Sequence, residues 1–106
     1  MTATANNIDT EELLSHASEA ERYLKQLANK TRLMVLCSLL NDEFSVSDLL
    51  TRIPVTQPVL SQHLALLREA NMVATRRDGQ TIYYSLADDR VKQTIGLLYG
   101  FFCAAE

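Results

Sequence analysis

The sequence predicts a mainly α-helical domain with one small β-hairpin, and three observations lead to this fold class. Apolar residues recur at helical spacing in several separate segments. After Glu69 the period changes from helical to alternating, and the Asp78-Gly79 dipeptide that follows is a strong signal for a two-residue hairpin turn. The chain has 106 residues, of which 47% are apolar, three are Gly and two are Pro, so it can form one domain with a modest core.

Two helices open the predicted domain. Asp9 is a suitable N-cap, and the first helix is expected to run from there to about Ala28. Asn29 is the next N-cap and begins a helix over Lys30–Leu40. Each helix has an apolar side, formed by Leu13, Ala17, Ala20, Leu24 and Leu27 in the first and by Leu33, Leu36, Cys37 and Leu40 in the second.

A short third helix and a longer fourth helix follow, joined by a tight turn. Ser45 caps the third helix, with Asp48 three residues later in a capping-box pattern, and this helix stops before Pro54. The fourth helix begins after Thr56, whose hydroxyl can accept from a backbone N–H of the first turn, and Pro58 falls in that turn. Its buried stripe is Leu60, Leu64 and Leu67. Two short helices joined in this way are a helix-turn-helix.

The fourth helix, called the reading helix below, presents polar side chains on the face opposite its leucines. Gln57, Ser61, Gln62 and His63 are uncharged donors and acceptors near its N-terminal end. Side chains of this kind, on a helix of this kind, read base edges in the major groove of DNA. The alternative is an amphipathic surface helix with an ordinary polar face, and only the neighbouring elements distinguish the two.

The hairpin after the reading helix has the position of a wing. A strand begins at Val73, turns at Asp78-Gly79 and returns over Thr81–Leu86. Arg76 and Arg77 lie beside the tip, where arginines contact phosphate or enter the minor groove. A plain solvated hairpin is the alternative interpretation.

The charge distribution supports a nucleic-acid partner although the total does not. The net charge is −3 and the pI about 5.3, whereas phosphate contacts need Lys or Arg. However, residues 52–77 hold four arginines and Glu69 as their only acid, while residues 1–21 hold five acids and no base. A dimer would double this basic patch and read two half-sites roughly 34–36 Å apart.

The last predicted helix is capped by Asp88 and runs to about Ala104. It carries more apolar surface than the core of one small domain needs, so we expect it to be buried against a second copy of the chain. The first helix is the other half of this expected homodimer interface. The interface residues are predicted to be Leu13, Ala17, Val91, Ile95, Leu98 and Phe102.

Four blocks of the sequence resemble the ArsR/SmtB family of winged-helix repressors, namely LANKTRL at 27–33, SQHL at 61–64, LREA at 67–70 and RRDGQTIYYSL at 76–86. The resemblance implies a winged helix-turn-helix homodimer that binds a DNA operator and releases it on sensing a metal or a redox signal. With the faces described above, it predicts these DNA contacts: Thr56, Gln57, Pro58, Ser61, Gln62, His63, Arg68, Arg76, Arg77 and Gln80.

The ligands of the family's metal sensors are mostly missing. Where the arsenic and cadmium sensors carry Cys-Val-Cys, this chain has Ser45-Val46-Ser47, and a hydroxyl is a poor ligand for a soft metal. The positions that hold Asp, His, His and Glu in the zinc sensors correspond to Asp88, Arg90, Phe101 and Ala104. We therefore expect no metal and no other cofactor, and a metal-responsive repressor is the less favoured alternative.

The two cysteines, Cys37 and Cys103, are 66 residues apart and form neither a CxxC motif nor a zinc knuckle. Their placement resembles the SqrR, BigR and HlyU group of reactive-sulfur and redox sensors, in which the second and last helices each give one thiol. The resemblance implies that oxidation or persulfide transfer joins the thiols by a disulfide or a chain of extra sulfurs, and that operator affinity is then lost. The alternatives are inert packing cysteines and a HlyU-like anti-repressor of virulence genes.

Several classes of function are disfavoured. A thiol oxidoreductase would need a CxxC motif or a His or acid placed to activate a cysteine, so we expect no enzyme. The polar, acidic N-terminus has no signal peptide or membrane span, which predicts a cytoplasmic protein that does not act at a membrane. Residues 1–8 are expected to be a disordered lead-in, and residues 9–106 the DNA-binding and dimerisation domain.

Overall fold

The computed structural model describes residues 9–103, which form five helices and a three-stranded antiparallel sheet. The predicted fold class, a winged helix-turn-helix with a small hairpin, is confirmed. The predictions for residues 1–8 and for Ala104 lie outside the described residues. The elements are α1 (Thr10–Leu27), α2 (Lys30–Ser38), β1 (Phe44–Ser45), α3 (Val46–Leu50), α4 (Gln57–Glu69), β2 (Val73–Asp78), β3 (Thr81–Leu86) and α5 (Asp89–Phe102).

The helices begin at side-chain caps that the sequence predicted. Asp9, Asn29 and Asp88 each accept a hydrogen bond from a backbone N–H in the first turn of α1, α2 and α5. Ser45 and Asp48 form a complete capping box at the start of α3. These local bonds explain why the helix starts are well predicted. The end of α2 is predicted less accurately, because the helix stops at Ser38, two residues before the predicted Leu40.

The core lies where α2, α3, reading helix α4 and α5 pack together under the sheet. Leu60, Leu64 and Leu67 are buried, as predicted, and anchor α4 by its inner face. Helix α1 contributes little to the core, because Leu27 at its end is its one buried residue. Four other residues of its predicted apolar side are exposed: Leu13, Ala17, Ala20 and Leu24.

Helix α5 has two apolar surfaces, and the predicted interface must be corrected for two residues. Val91 is 2% exposed and Ile95 is 0% exposed, because both pack into the core of their own chain. They are therefore unavailable to a partner. Leu98 is half-buried against the same core. The outward apolar surface lies mainly at the C-terminal end of the helix, where Leu97, Tyr99, Phe101 and Phe102 are exposed.

The sheet contains one strand that the sequence analysis missed. Strand β1 has only two residues, and Phe44 and Ser45 pair with Tyr84 and Tyr83 of β3. Such a short strand has no readable alternation, so its sequence carries no signal. Strands β2 and β3 form the predicted hairpin, and Gly79 in its turn has φ +66°, a conformation that glycine adopts without strain.

None of the helices within the described part of the chain is both long and apolar enough to cross a membrane.

Candidate nucleic-acid interface and thiol pair

The N-terminal end of the reading helix projects several of the predicted contact residues into solvent. Gln57, Pro58, Ser61 and Gln62 are all exposed on α4, opposite or beside the buried leucine stripe. Because the stripe is anchored in the core, these side chains are held on a rigid element. The structure thus brings four of the predicted contacts together on one exposed end.

The capping role predicted for Thr56 is wrong. It is the N-cap residue of α4 with an extended backbone, but its hydroxyl accepts no capping hydrogen bond. The N–H groups of the first turn therefore lack the side-chain partner that the sequence analysis expected. Such groups at a helix N-terminus are suitable donors to a phosphate oxygen, and the exposed hydroxyl of Thr56 lies beside them.

His63 differs from the other α4 residues predicted to contact base edges, because it is half-buried and already hydrogen-bonded. Its Nδ1 accepts from Nε of Arg32 on α2 at 3.2 Å. Arg32 also donates from Nη1 to Oε1 of Gln26 on α1 at 3.1 Å. Neither bond could be predicted from the sequence, since Arg32 lies 31 residues before His63, Gln26 lies further still, and no local pattern connects them.

Arg68 is exposed but lies at the other end of the reading helix. It belongs to the last turn of α4, and it lies eleven positions after Gln57, a distance of about 16 Å along the axis. Its side chain therefore does not join the cluster of polar residues at the N-terminal end. At that distance it suits a backbone phosphate better than the bases that the first turn would contact.

The two wing arginines have different surroundings. Arg76 donates from Nε to both carboxylate oxygens of Glu43, at 3.0 and 3.3 Å, and forms an ion pair with it. The guanidinium carbon also lies 4.8 Å from the ring centroid of Tyr83, its cross-strand neighbour. The hydrogen bond to Glu43 is the main cause that raises the pKa of Arg76, which therefore stays charged. Sequence analysis missed Glu43, which precedes the unpredicted strand β1.

Arg77 and Gln80 remain available at the hairpin tip. Both are exposed, and within residues 9–103 neither side chain forms an ion pair or hydrogen bond. Successive side chains of a strand point to opposite faces, so Arg77 faces away from Arg76. The two arginines therefore leave the strand in different directions.

The thiols belong to helices that pack against each other. Cys37 lies near the end of α2 and is half-buried, whereas Cys103 follows α5 and is exposed. Burial raises the pKa of the Cys37 thiol, and the nearby Cys103 raises it further through the repulsion between two thiolates. The fold therefore places two cysteines that are distant in sequence on elements that pack against each other. Both are free thiols in this structure.

No three His, Cys, Asp or Glu side chains between residues 9 and 103 are grouped so that they could hold a metal ion.

A family model and several known proteins match this chain. The model of the arsR family of bacterial regulatory proteins matches residues 29–75, which include α2, α3 and the reading helix. The biofilm growth-associated repressor of Agrobacterium fabrum is 47% identical over 90 residues, which cover 85% of this chain and 77% of that protein. The transcriptional activator HlyU of Vibrio cholerae is 41% identical over 99 residues, which cover 93% and 92% of the two chains.

Two solved structures are similar to this chain in both fold and sequence. The structure of reduced HlyU from Vibrio cholerae superposes with a TM-score of 0.84 at 42% identity, covering 88% of this chain and 98% of that one. The transcriptional repressor BigR from Xylella fastidiosa superposes with a TM-score of 0.83 at 41% identity, covering 92% and 97%. The similarity therefore includes the hairpin and α5, beyond the segment that the family model matches.

Proposed function

This chain belongs to the ArsR family of bacterial regulatory proteins, and on that premise we propose that it is a homodimeric DNA-binding repressor controlled by the dithiol of Cys37 and Cys103. The observation that carries the proposal is that Cys37 lies on α2 and Cys103 directly after α5, two helices that pack against each other, and that α2 also packs on the reading helix. The relatives named repressors and a structure named for its reduced form support it.

DNA recognition would use the exposed end of the reading helix in the major groove. Gln57, Ser61 and Gln62 supply donors and acceptors for base edges, and the first-turn N–H groups and Thr56 hold a phosphate. Arg77 and Gln80 at the hairpin tip reach the neighbouring backbone or minor groove. Two copies related by a twofold axis would place two reading helices roughly 34–36 Å apart.

The dimer would form through the outward surfaces of α1 and α5. Phe102 is 79% exposed and Leu13 is 52% exposed. Large apolar side chains at this exposure form a patch of the kind that marks a protein interface. Because the core already holds Val91 and Ile95, this outward patch is the surface that remains for a partner.

The exposed thiol would react first. Nucleophilic attack requires a thiol that the persulfide can reach and that can ionise. Cys103 is exposed, whereas Cys37 is half-buried and burial raises the pKa of its thiol, so Cys103 is the attacking residue. The Cys103 thiolate attacks the outer sulfur of an organic persulfide, forming a Cys103 persulfide and releasing the organic thiol. The Cys37 thiol then loses its proton and its sulfur attacks Sγ of Cys103, which forms the Cys37–Cys103 disulfide and expels the outer sulfur as hydrosulfide. A second persulfide donor that extends the Cys103 sulfur chain before closure would leave extra sulfurs in the bridge.

The link would act on DNA binding through helix geometry. Helix α2 packs on both the reading helix and α5, and α5 carries the proposed dimer surface. A covalent bridge between α2 and α5 therefore changes how each reading helix is held relative to its partner copy. Operator affinity falls only as far as the bridge stabilises the non-binding arrangement over the binding one.

The test combines intact-protein mass with operator binding on the same samples. An operator is first selected from random duplexes with the reduced protein, which is then treated with an organic persulfide, a peroxide or glutathione disulfide. We expect a mass change that corresponds to a Cys37–Cys103 bridge, by loss of two hydrogens or gain of whole sulfur atoms, and a parallel loss of DNA binding.

Single-cysteine variants supply the controls. Cys37→Ser should bind the operator like the unmodified protein and acquire adducts on Cys103 without losing affinity, while Cys103→Ser should react slowly or not at all. A Cys37→Ser protein that still releases DNA on treatment would contradict the proposal.

A second candidate is an anti-repressor with inert cysteines, and it is favoured by the half-buried position of Cys37 and by the relative named a transcriptional activator. Such a protein would bind the same duplex whether oxidised or reduced and would displace another DNA-binding protein from it. Unchanged mass and unchanged binding in the experiment above would support this candidate.

A further inference from the structure

A chain of hydrogen bonds connects the reading helix to α1 through α2. Arg32 lies in the first turn of α2, and its backbone N–H donates to Oδ1 of the N-cap residue Asn29 at 3.0 Å. The same residue donates through Nε to His63 at 3.2 Å and through Nη1 to Gln26 at 3.1 Å. One guanidinium therefore contacts the end of α1 and the middle of the reading helix at the same time.

The direction of these bonds determines the protonation state of His63. A guanidinium has five N–H donors, no acceptor, and a charge that it keeps at every pH a folded protein experiences. Nδ1 of His63 must therefore accept and carries no proton. The imidazole is then the neutral tautomer with its proton on Nε2.

We propose that Gln26, Arg32 and His63 form a positioning chain that sets the orientation of the reading helix, so that His63 is a positioning residue and not a base contact. The inference rests on the proposed DNA-binding function. It explains why His63 is half-buried while its neighbours Ser61 and Gln62 are exposed. It also revises the sequence-based expectation that placed His63 among the residues that face DNA.

Protonation of His63 would break this chain. A second ring proton would put an N–H on Nδ1 against the N–H of Arg32 and place two positive charges side by side. Arg32 is the charged group that reaches the ring, from α2, and beyond it lies the neutral amide of Gln26 from α1. Within residues 9–103, no side chain of α3 or β2 hydrogen bonds to His63.

The sign of the pH dependence of operator affinity separates the two roles of His63. Histidine is the side chain that ordinarily changes its charge between pH 5 and 8. A positioning histidine loses its bond to Arg32 as the pH falls, so operator binding weakens. A histidine that contacted phosphate would instead gain a positive charge as the pH falls, so operator binding would strengthen.

The experiment measures operator affinity of the reduced full-length protein at constant ionic strength, between about pH 7.5 and about pH 5.5. We expect a fall of roughly tenfold, because the bond at stake involves a charged donor. His63→Asn keeps an acceptor oxygen near the position of Nδ1 but does not titrate. We expect it to bind almost as well as the unmodified protein at the higher pH and to lose the pH dependence.

The protein offers a matched control, since its other histidine, His16, is exposed on α1. His16→Asn should retain the full pH dependence. Arg32→Met, which keeps most of the aliphatic stem, should bind more weakly at both pH values without a further fall. Thermal unfolding of each variant, measured without DNA, distinguishes a misplaced reading helix from a destabilised fold.

A measurement without DNA tests directly whether the positioning chain of Gln26, Arg32 and His63 exists. Nitrogen NMR of the imidazole at about pH 7.5 should show Nδ1 of His63 unprotonated, and Arg32→Met should convert it to a mixture of tautomers. Stronger operator binding at low pH, or an unchanged pH dependence in His63→Asn, would overturn the inference. If no duplex binds at any pH, the DNA-binding function fails instead, while the nitrogen spectrum still decides whether the positioning chain exists.

Discussion

At the scale of single residues, tertiary contacts divide the predicted DNA contacts into free and engaged side chains. Gln57, Ser61 and Gln62 are free to meet a ligand, whereas His63 and Arg76 already have protein partners. An engaged side chain must give up its partner before it can contact DNA, so it contributes less than its chemistry suggests. Ion pairs at this exposure are weak, which makes the Arg76 pair easy to exchange.

The pair of Glu43 and Arg76 leads to a prediction about salt dependence. Glu43→Gln should free the guanidinium for phosphate and remove a repulsive carboxylate. Operator affinity should therefore rise, and the slope of log affinity against log salt should steepen by about one. Titrations at several salt concentrations measure both quantities.

Two variants control this prediction. Asp42→Asn removes one negative charge from the same turn but leaves the ion pair in place, so its slope should stay closer to that of the unmodified protein. Adding Arg76→Gln to Glu43→Gln should cancel the gain in slope. A gain that survives the double substitution would show that Arg76 is not the residue released.

At the scale of elements, the helix caps show how local chemistry starts the helix-turn-helix. Ser45 and Asp48 satisfy each other's backbone N–H groups at the start of α3, while Thr56 at the start of α4 forms no equivalent bond. The first cap is therefore a stabilising feature of the fold. At Thr56 the absence of a capping bond leaves first-turn N–H donors free on the helix that we propose contacts DNA.

This contrast predicts different effects for two similar substitutions. Ser45→Ala should lower the free energy of unfolding by about 1 kcal/mol because it removes a capping bond. Thr56→Ala should change it little, since its hydroxyl caps nothing, yet should weaken operator binding. Denaturant unfolding and operator titration of both variants measure the effects. Equal losses of stability would contradict the difference between the caps.

At the scale of the whole molecule, α5 presents one surface to the core of its own chain and another to solvent. One side of the helix buries Val91 and Ile95 in the core, and its C-terminal end exposes Phe101 and Phe102. A single helix thus connects the interior that holds the reading helix to the surface proposed for a partner copy. Cys103 lies directly after that end, so a bridge to α2 would act where the two surfaces meet.

Substitutions on the two sides of α5 should affect different quantities. Phe102→Asp should dissociate the proposed dimer with little change in the fold, because this side chain is 79% exposed in the single chain. Ile95→Ala should cost about 2–5 kcal/mol of unfolding free energy, because it leaves a cavity in the core. Sedimentation equilibrium and denaturant unfolding measure the two effects.

Leu66→Asp is the control for adding a charge at an exposed apolar site, since Leu66 is 41% exposed on α4. It should leave the dimer intact. A Phe102→Asp protein that remains a dimer would place the interface elsewhere on the molecule.

The helix starts and the hairpin could be predicted from the sequence, because caps, periodicity and turn residues act within a few positions of the chain. The polar residues of the reading helix could be read from it directly. The tertiary structure shows which of the predicted DNA contacts already have protein partners: Arg32 contacts His63 across 31 residues of sequence, and Glu43 contacts Arg76 across 33. It likewise decided which side of α5 faces inward. These contacts depend on how distant elements pack, and no local pattern in the chain encodes that packing.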